Sequence, residues 1–165
     1  MRPFVVLGVA LLSAASVALA QEPASAMRDI QRSHIDGNVP VARDFDSFLR
    51  RDVAAYFRGK LNIDTPEVAI ELLRKGPTQS GVSLPKYYAW VVVKNDGNTV
   101  AEGALRLAAM DQDSFEVTHF FSTVDIKSMP DVVSSVFPAP LASVILERAS
   151  VAMPPGTSQE RTSGK

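Results

Sequence analysis

Residues 87–93 read YYAWVVV, a run of strong strand propensity whose alternate positions are apolar on both sides. A strand of this kind cannot sit in a sheet with one wet face. Either helices cover both of its faces, or helices cover one and a partner covers the other. The next residues, Asn95-Asp96-Gly97-Asn98, are a strong turn signal, because Asp-Gly suits a type I′ loop with both central residues at positive φ. Residues 100–110 then return as a second strand. With Asp96-Gly97 as a two-residue loop, Val92 faces Ala101, Trp90 faces Gly103 and Tyr88 faces Leu105. Trp90 would lie over a residue without a side chain. The other face sets Tyr87, Ala89, Val91 and Val93 against Val100, Glu102, Ala104 and Arg106.

A second turn, Asp111-Gln112-Asp113-Ser114, leads into a third strand over 115–122, FEVTHFFS. Its register stays open. A four-residue loop sets His119 opposite Arg106, whereas an odd loop or a bulge sets it beside Leu105, and one step of register exchanges the two faces.

Helices flank this meander. Phe45, Phe48, Leu49, Val53, Tyr56 and Phe57 recur at spacings of three and four, one apolar stripe on a helix with Asp44 as candidate N-cap and Gly59 just past its end. Thr65-Pro66-Glu67 has the form of a helix start, and Gly76-Pro77 the form of a stop. A second helix is therefore expected over 65–75, with Val68, Leu72 and Leu73 inward. Ser128 and Asp131 around Pro130 resemble a capping box ahead of Val132, Val133, Val136 and Phe137. Pro138 and Pro140 open a last helix with Leu141, Val144 and Ile145 on its core face. The expected order is α-α-β-β-β-α-α, an α+β fold with a small antiparallel three-stranded meander packed by four short helices. In layout alone this resembles cystatin-like and nuclear-transport-factor-like domains. No motif accompanies the likeness, and no family is assigned.

The ends differ in kind from this middle. Arg2, the apolar run Phe4–Leu12 and Ala18-Leu19-Ala20 before Gln21 are the parts of a secretory signal peptide, expected over 1–20 and cleaved after Ala20. The compact leader suggests a bacterial exporter, placing the mature chain in the periplasm or outside the cell. Residues 21–41 show no sustained period and contain Pro23, Gly37 and Pro40, so an irregular leader is expected there. Residues 152–165 are polar and carry paired prolines, the composition of a disordered tail. A single α+β domain is expected over 42–151. No later stretch is long enough to span a bilayer, so no membrane association is expected after cleavage.

Composition removes several chemistries. Lys+Arg is 17 and Asp+Glu 18, so no global field favours nucleic acid or anionic lipid. With no cysteine there is no disulfide, thiolate metal site or thiol nucleophile, and two histidines argue against a His-rich metal centre. GxSxG, HExxH, P-loop and GxGxxG motifs are missing. Asp111 and Asp113 lack the further ligands of a calcium loop and read as turn residues. No metal and no cofactor is expected.

His119 is the one residue suited to acid–base work from inside the fold. It alternates with Phe115, Val117 and Phe121, which points to a buried neutral ring. A second reading makes it a general base oriented by Glu102 or Glu116. His34 lies in the leader and is expected to be solvated. Tyr87, Tyr88, Trp90 and Phe121 are the ligand or interface candidates. The leading functional expectation is an exported soluble binding or protein-interaction domain without catalysis. Its partner would be another protein, a small apolar ligand, or a second copy as a homodimer. A small cofactor-independent enzyme using His119 is the second, and a membrane-tethered structural protein with an uncleaved leader the third.

Overall fold

The computed structural model describes residues 22–80 and 83–152. Helices α1 (Glu22–Asn38) and α2 (Ala42–Leu61) come first. They are followed by β1 (Glu67–Leu72), β2 (Lys86–Asn95), β3 (Asn98–Met110) and β4 (Ser114–Ser122), then α3 (Thr123–Ser128), α4 (Pro130–Val136) and α5 (Ala139–Val151). The four strands form one antiparallel sheet in sequence order. The class is α+β, with a fourth strand beyond the expected meander. The signal-peptide segment and the tail from Met153 onward lie outside the described residues.

The extra strand is β1, which occupies the place expected for the second helix. Val68, Ile70 and Leu72 are half-buried and alternate with exposed Glu67, Ala69 and Glu71, a period of two. Thr65-Pro66 opens a strand here because β2 supplies a ladder in which Val68 pairs Val93 and Leu72 pairs Ala89. Pro66 lies outside that ladder and costs it no hydrogen bond. Residues 21–41 also differ from expectation. Most of the segment is α1, with Pro23 in its first turn and Gly37 in its last, where neither breaks it.

Helix α2 buries Leu49, Val53 and Phe57 on the anticipated stripe. Its ends lie elsewhere: Val41 is the N-cap, without a side-chain cap bond, Gly59 is inside the helix, and Asn62 terminates it at φ 54°. The helix lies on one sheet face against Tyr87, Ala89, Val91, Val93, Leu105 and Leu107. Phe45 meets Tyr87 and Phe115 edge-on at 5.1 and 5.0 Å, and Phe57 meets Phe120 at 4.9 Å. On the other face Tyr88, Trp90 and Ala104 pack under Ile126, Val133, Phe137, Ala142, Ile145 and Ala149 of the C-terminal helices. Helices therefore cover both faces of β2, the first of the two arrangements its sequence allows.

The Asp96-Gly97 loop is where expected, with φ 50° and 79° and Asn95 paired to Asn98. The pairing beyond it is not. Lys94 pairs Thr99 but Val93 pairs Ala101, so Val100 is an extra residue on β3 and every later pair moves by one. Trp90 faces Ala104 rather than Gly103, and Tyr88 faces Arg106 rather than Leu105. Gly103 serves the opposite seam. A Cβ there would overlap the Phe121 carbonyl oxygen and come within 2.9 Å of Ser122 Cα. Only glycine lets β3 and β4 approach so closely.

At the C-terminal end the capping box lies one helix earlier than expected. Ser122 Oγ accepts from the Asp125 amide at 3.2 Å, and Asp125 accepts from the Ser122 amide at 3.0 Å, which opens α3. Helix α4 has no side-chain cap. In α5 the buried residues are Ala142, Ile145 and Ala149, whereas Val144 is exposed. Two alanines on the inner side let this helix lie close to the sheet.

Candidate functional site

The loop between β3 and β4 spans Asp111 to Asp113, three residues, with Asp111 and Gln112 at φ 52° and 62°. Met110 pairs Ser114 and Leu107 pairs Val117, but Arg106 pairs His119, so Thr118 is an extra residue on β4. The odd loop and the bulge together bring His119 opposite Arg106. The bulge also changes His119's company. Phe115 and Val117 belong to the α2 face, while His119 shares the C-terminal-helix face with Phe121, whose ring lies 6.2 Å away at a 34° tilt.

The result is a row of polar side chains across the sheet: Tyr88 on β2, Arg106 on β3 and His119 on β4, each opposite the next. Neighbouring strands stand about 4.8 Å apart, so successive members of the row are within reach of one another. Each member is held differently. Tyr88 is buried, and its hydroxyl shares a 2.9 Å hydrogen bond with Thr78 Oγ1. Arg106 is half-buried and donates from Nε to Thr118 Oγ1 at 3.2 Å, while the Thr118 hydroxyl donates to the Arg106 carbonyl at 3.0 Å. The bulge residue thereby holds Arg106 through both its side chain and its backbone. His119 is half-buried, and its Nδ1 is shielded from solvent without a hydrogen-bond partner among the described residues. Burial holds its pKa below the ordinary value of 6.5, and the Arg106 charge lowers it further.

The carboxylates expected to orient His119 are engaged elsewhere or exposed. Glu102 Oε1 accepts from Trp90 Nε1 at 3.0 Å. It lies four residues from Arg106 on β3, about 13 Å along the strand. Glu116 is exposed opposite Ala108. Neither accepts a hydrogen bond from His119 among the described residues. Among the interface candidates, Tyr87 is buried in the α2 core, which pushes its pKa up to about 12, and Trp90 is buried in the other core. The Arg148 guanidinium lies 4.8 Å from the Trp90 ring centre and pairs with Glu71 at 2.7 Å. Phe121 is half-buried and 6.1 Å from Phe137, which also meets Tyr88 at 5.7 Å. The candidates thus divide between two cores. Sequence reasoning does not single out Thr118, Arg148 or Glu71, because their partners lie on other elements.

A second region stands apart from the sheet. Residues 24–30 of α1 are all exposed, Met27 and Ile30 among them. The helix is held at its other end, where the Gln112 amide donates to the Asn38 carbonyl at 3.0 Å and the Gln112 side chain donates to the Asp36 carbonyl. The same turn is clasped to α2. Arg51 Nη2 donates to the Asp113 carbonyl at 2.7 Å, and Asp52, paired with Arg51, accepts the Phe115 amide at 2.7 Å. His34, expected to be solvated, is half-buried in α1.

Along the β1 edge, Glu67, Val68, Ala69, Val92 and Lys94 line a shallow groove of about 180 Å³. Among the described residues there is no cluster of three or more metal-binding side chains, and no helix is long and apolar enough to cross a membrane. Comparisons with family models, curated proteins and solved structures found no match to this chain.

Proposed function

We propose that this chain is an exported domain that works by binding another protein, without catalysis. The observation that carries the reading is α1. It is a 17-residue helix whose residues 24–30 are all exposed, the apolar side chains Met27 and Ile30 among them. An isolated helix of this length is marginal in water, because its stability depends on burying one face. A partner that covers Met27 and Ile30 supplies that burial. That Glu102 bonds Trp90 and Glu116 faces solvent, leaving His119 without an orienting carboxylate among the described residues, supports binding over general-base chemistry. The apolar run Phe4–Leu12 and the Ala18-Leu19-Ala20 site support export to the periplasm or medium.

A photo-crosslinking residue at position 27 in the native cell tests the interaction, with one at Asp96 in the hairpin turn as control. A discrete adduct is expected at 27 and not at 96. Adducts at neither position, or equally at both, would contradict the reading. The intact mass of the fractionated protein tests export. The expected mature chain begins at Gln21, and a full-length species confined to membranes would contradict it.

A further inference from the structure

Arg106 has a charge without a counter-charge. Arg51 is paired with Asp52 and Arg148 with Glu71, whereas Arg106 forms no ion pair among the described residues. Arg106 is also half-buried, on the sheet face that carries Tyr88 and His119. Its Nε is committed to Thr118, which orients the guanidinium and leaves the two terminal amines without acceptors among the described residues. His119 stands opposite with a shielded Nδ1 that has no partner there either. Ala104 and Ala108, two positions to either side on β3, are both buried, and Phe121 lies across from Ala104. Glu116 is exposed and forms no ion pair with Arg106.

We propose that Arg106, with His119 beside it, is a binding site for a carboxylate, both terminal amines meeting its two oxygens and Phe121 lying against its apolar part. A planar fork with Nε already engaged presents two parallel N–H donors, the complement of a planar two-oxygen group. The same edge also fits two oxygens of a phosphate, but the Phe121 ring beside His119 favours a carboxylate that carries an apolar group over a wholly polar inorganic phosphate. The site is independent of α1 and of any partner bound there.

Nuclear magnetic resonance titration of the folded protein at fixed pH tests it, with benzoate and inorganic phosphate as separate probes. Benzoate is expected to shift the Arg106 Nε and His119 ring signals saturably, and phosphate to do so far more weakly. Arg106→Gln should weaken benzoate binding by about tenfold or more, and Arg106→Lys similarly, since an ammonium keeps the charge but lacks the fork. Arg50→Gln, on α2, should leave it unchanged. If Arg106→Gln loses its folded spectrum, the wild-type titration and Arg106→Lys decide. No saturable benzoate shift in the wild type, equal binding of phosphate, or undiminished binding in Arg106→Lys would overturn the proposal.

Discussion

One face of the sheet is covered by a single helix of 20 residues, the other by three helices of 6, 7 and 13. Beneath α2 the strands contribute aliphatic and aromatic side chains, and α2 adds Leu49, Val53 and Phe57. The opposite face of the same strands carries Tyr88, Trp90, Glu102, Arg106 and His119, residues with hydrogen-bonding or titrating groups, and α3, α4 and α5 pack on Tyr88 and Trp90. A long helix with one apolar stripe carries its own cooperativity, whereas α3 and α4, of about two turns each, hold their shape only through what they pack on, and α5 is shorter than α2 by seven residues. The α2 face is therefore the scaffold. The opposite face is the one on which polar chemistry is placed, under a cover assembled from short pieces.

Equal truncations on the two faces give the largest test of that difference. Phe57 is fully buried under one face and Phe137 is 3% exposed under the other. Phe57→Ala should cost about 4 kcal/mol, and Phe137→Ala about 2–3 kcal/mol, because short helices can settle into the space left behind. Denaturant melts measure both. Equal losses, or a larger loss for Phe137, would break the distinction between scaffold and cover.

The β3–β4 seam comes next, since it positions the polar row. Gly103→Ala places a Cβ against the Phe121 backbone, which cannot move as a flexible side chain would. A loss of about 2–3 kcal/mol is expected, together with disturbed His119 and Phe121 resonances. A wild-type melt would show that the strands can separate without cost. The hairpin loop should matter less and should not discriminate between the faces. Gly97 has φ 79°, so Gly97→Val should cost about 1 kcal/mol or slightly more, with little change in either core.

The smallest effect belongs to His119. Its folded pKa lies below 6.5, so above 6.5 both folded and unfolded forms are neutral and full stability is present. As pH falls through 6.5 the unfolded chain takes up the proton first, and stability declines. The decline ends below the folded pKa. His119→Gln should flatten that part of the stability–pH curve. A curve of unchanged slope would place the titration elsewhere.

Much of the scaffold face is legible in the amino-acid sequence, because its signals are local. The Phe45-to-Phe57 stripe, the doubly apolar β2 and the Asp96-Gly97 loop each declare themselves within a dozen residues. The polar face is harder to read for a physical reason. Its row depends on Val100 and Thr118, two extra residues whose positions are set by pairing between strands and not by any local preference. Without those shifts Tyr88 and His119 would each face Leu105, from either side. Strand β1 is hidden because Thr65-Pro66-Glu67 suits a helix start as well as a strand start, and only the edge of β2 decides between them. Helix α1 is hidden because Pro23 and Gly37 read as breakers, although they fall in its first and last turns. His119 stands out by residue type alone. Its arginine neighbour does not, and neither does the clasp of Arg51 and Asp52 on the β3–β4 turn.

Native-state hydrogen exchange at residue resolution tests the contrast between scaffold and cover most directly, by comparing the amides of Val53 and Phe57 in α2 with those of Ile145 and Ala149 in α5. All four residues are buried. The α2 amides are expected to open only with global unfolding, and the α5 amides at a lower free energy, by about 1–2 kcal/mol, as a separate cooperative unit. Identical opening energies on both helices, tracking the global value, would contradict that contrast.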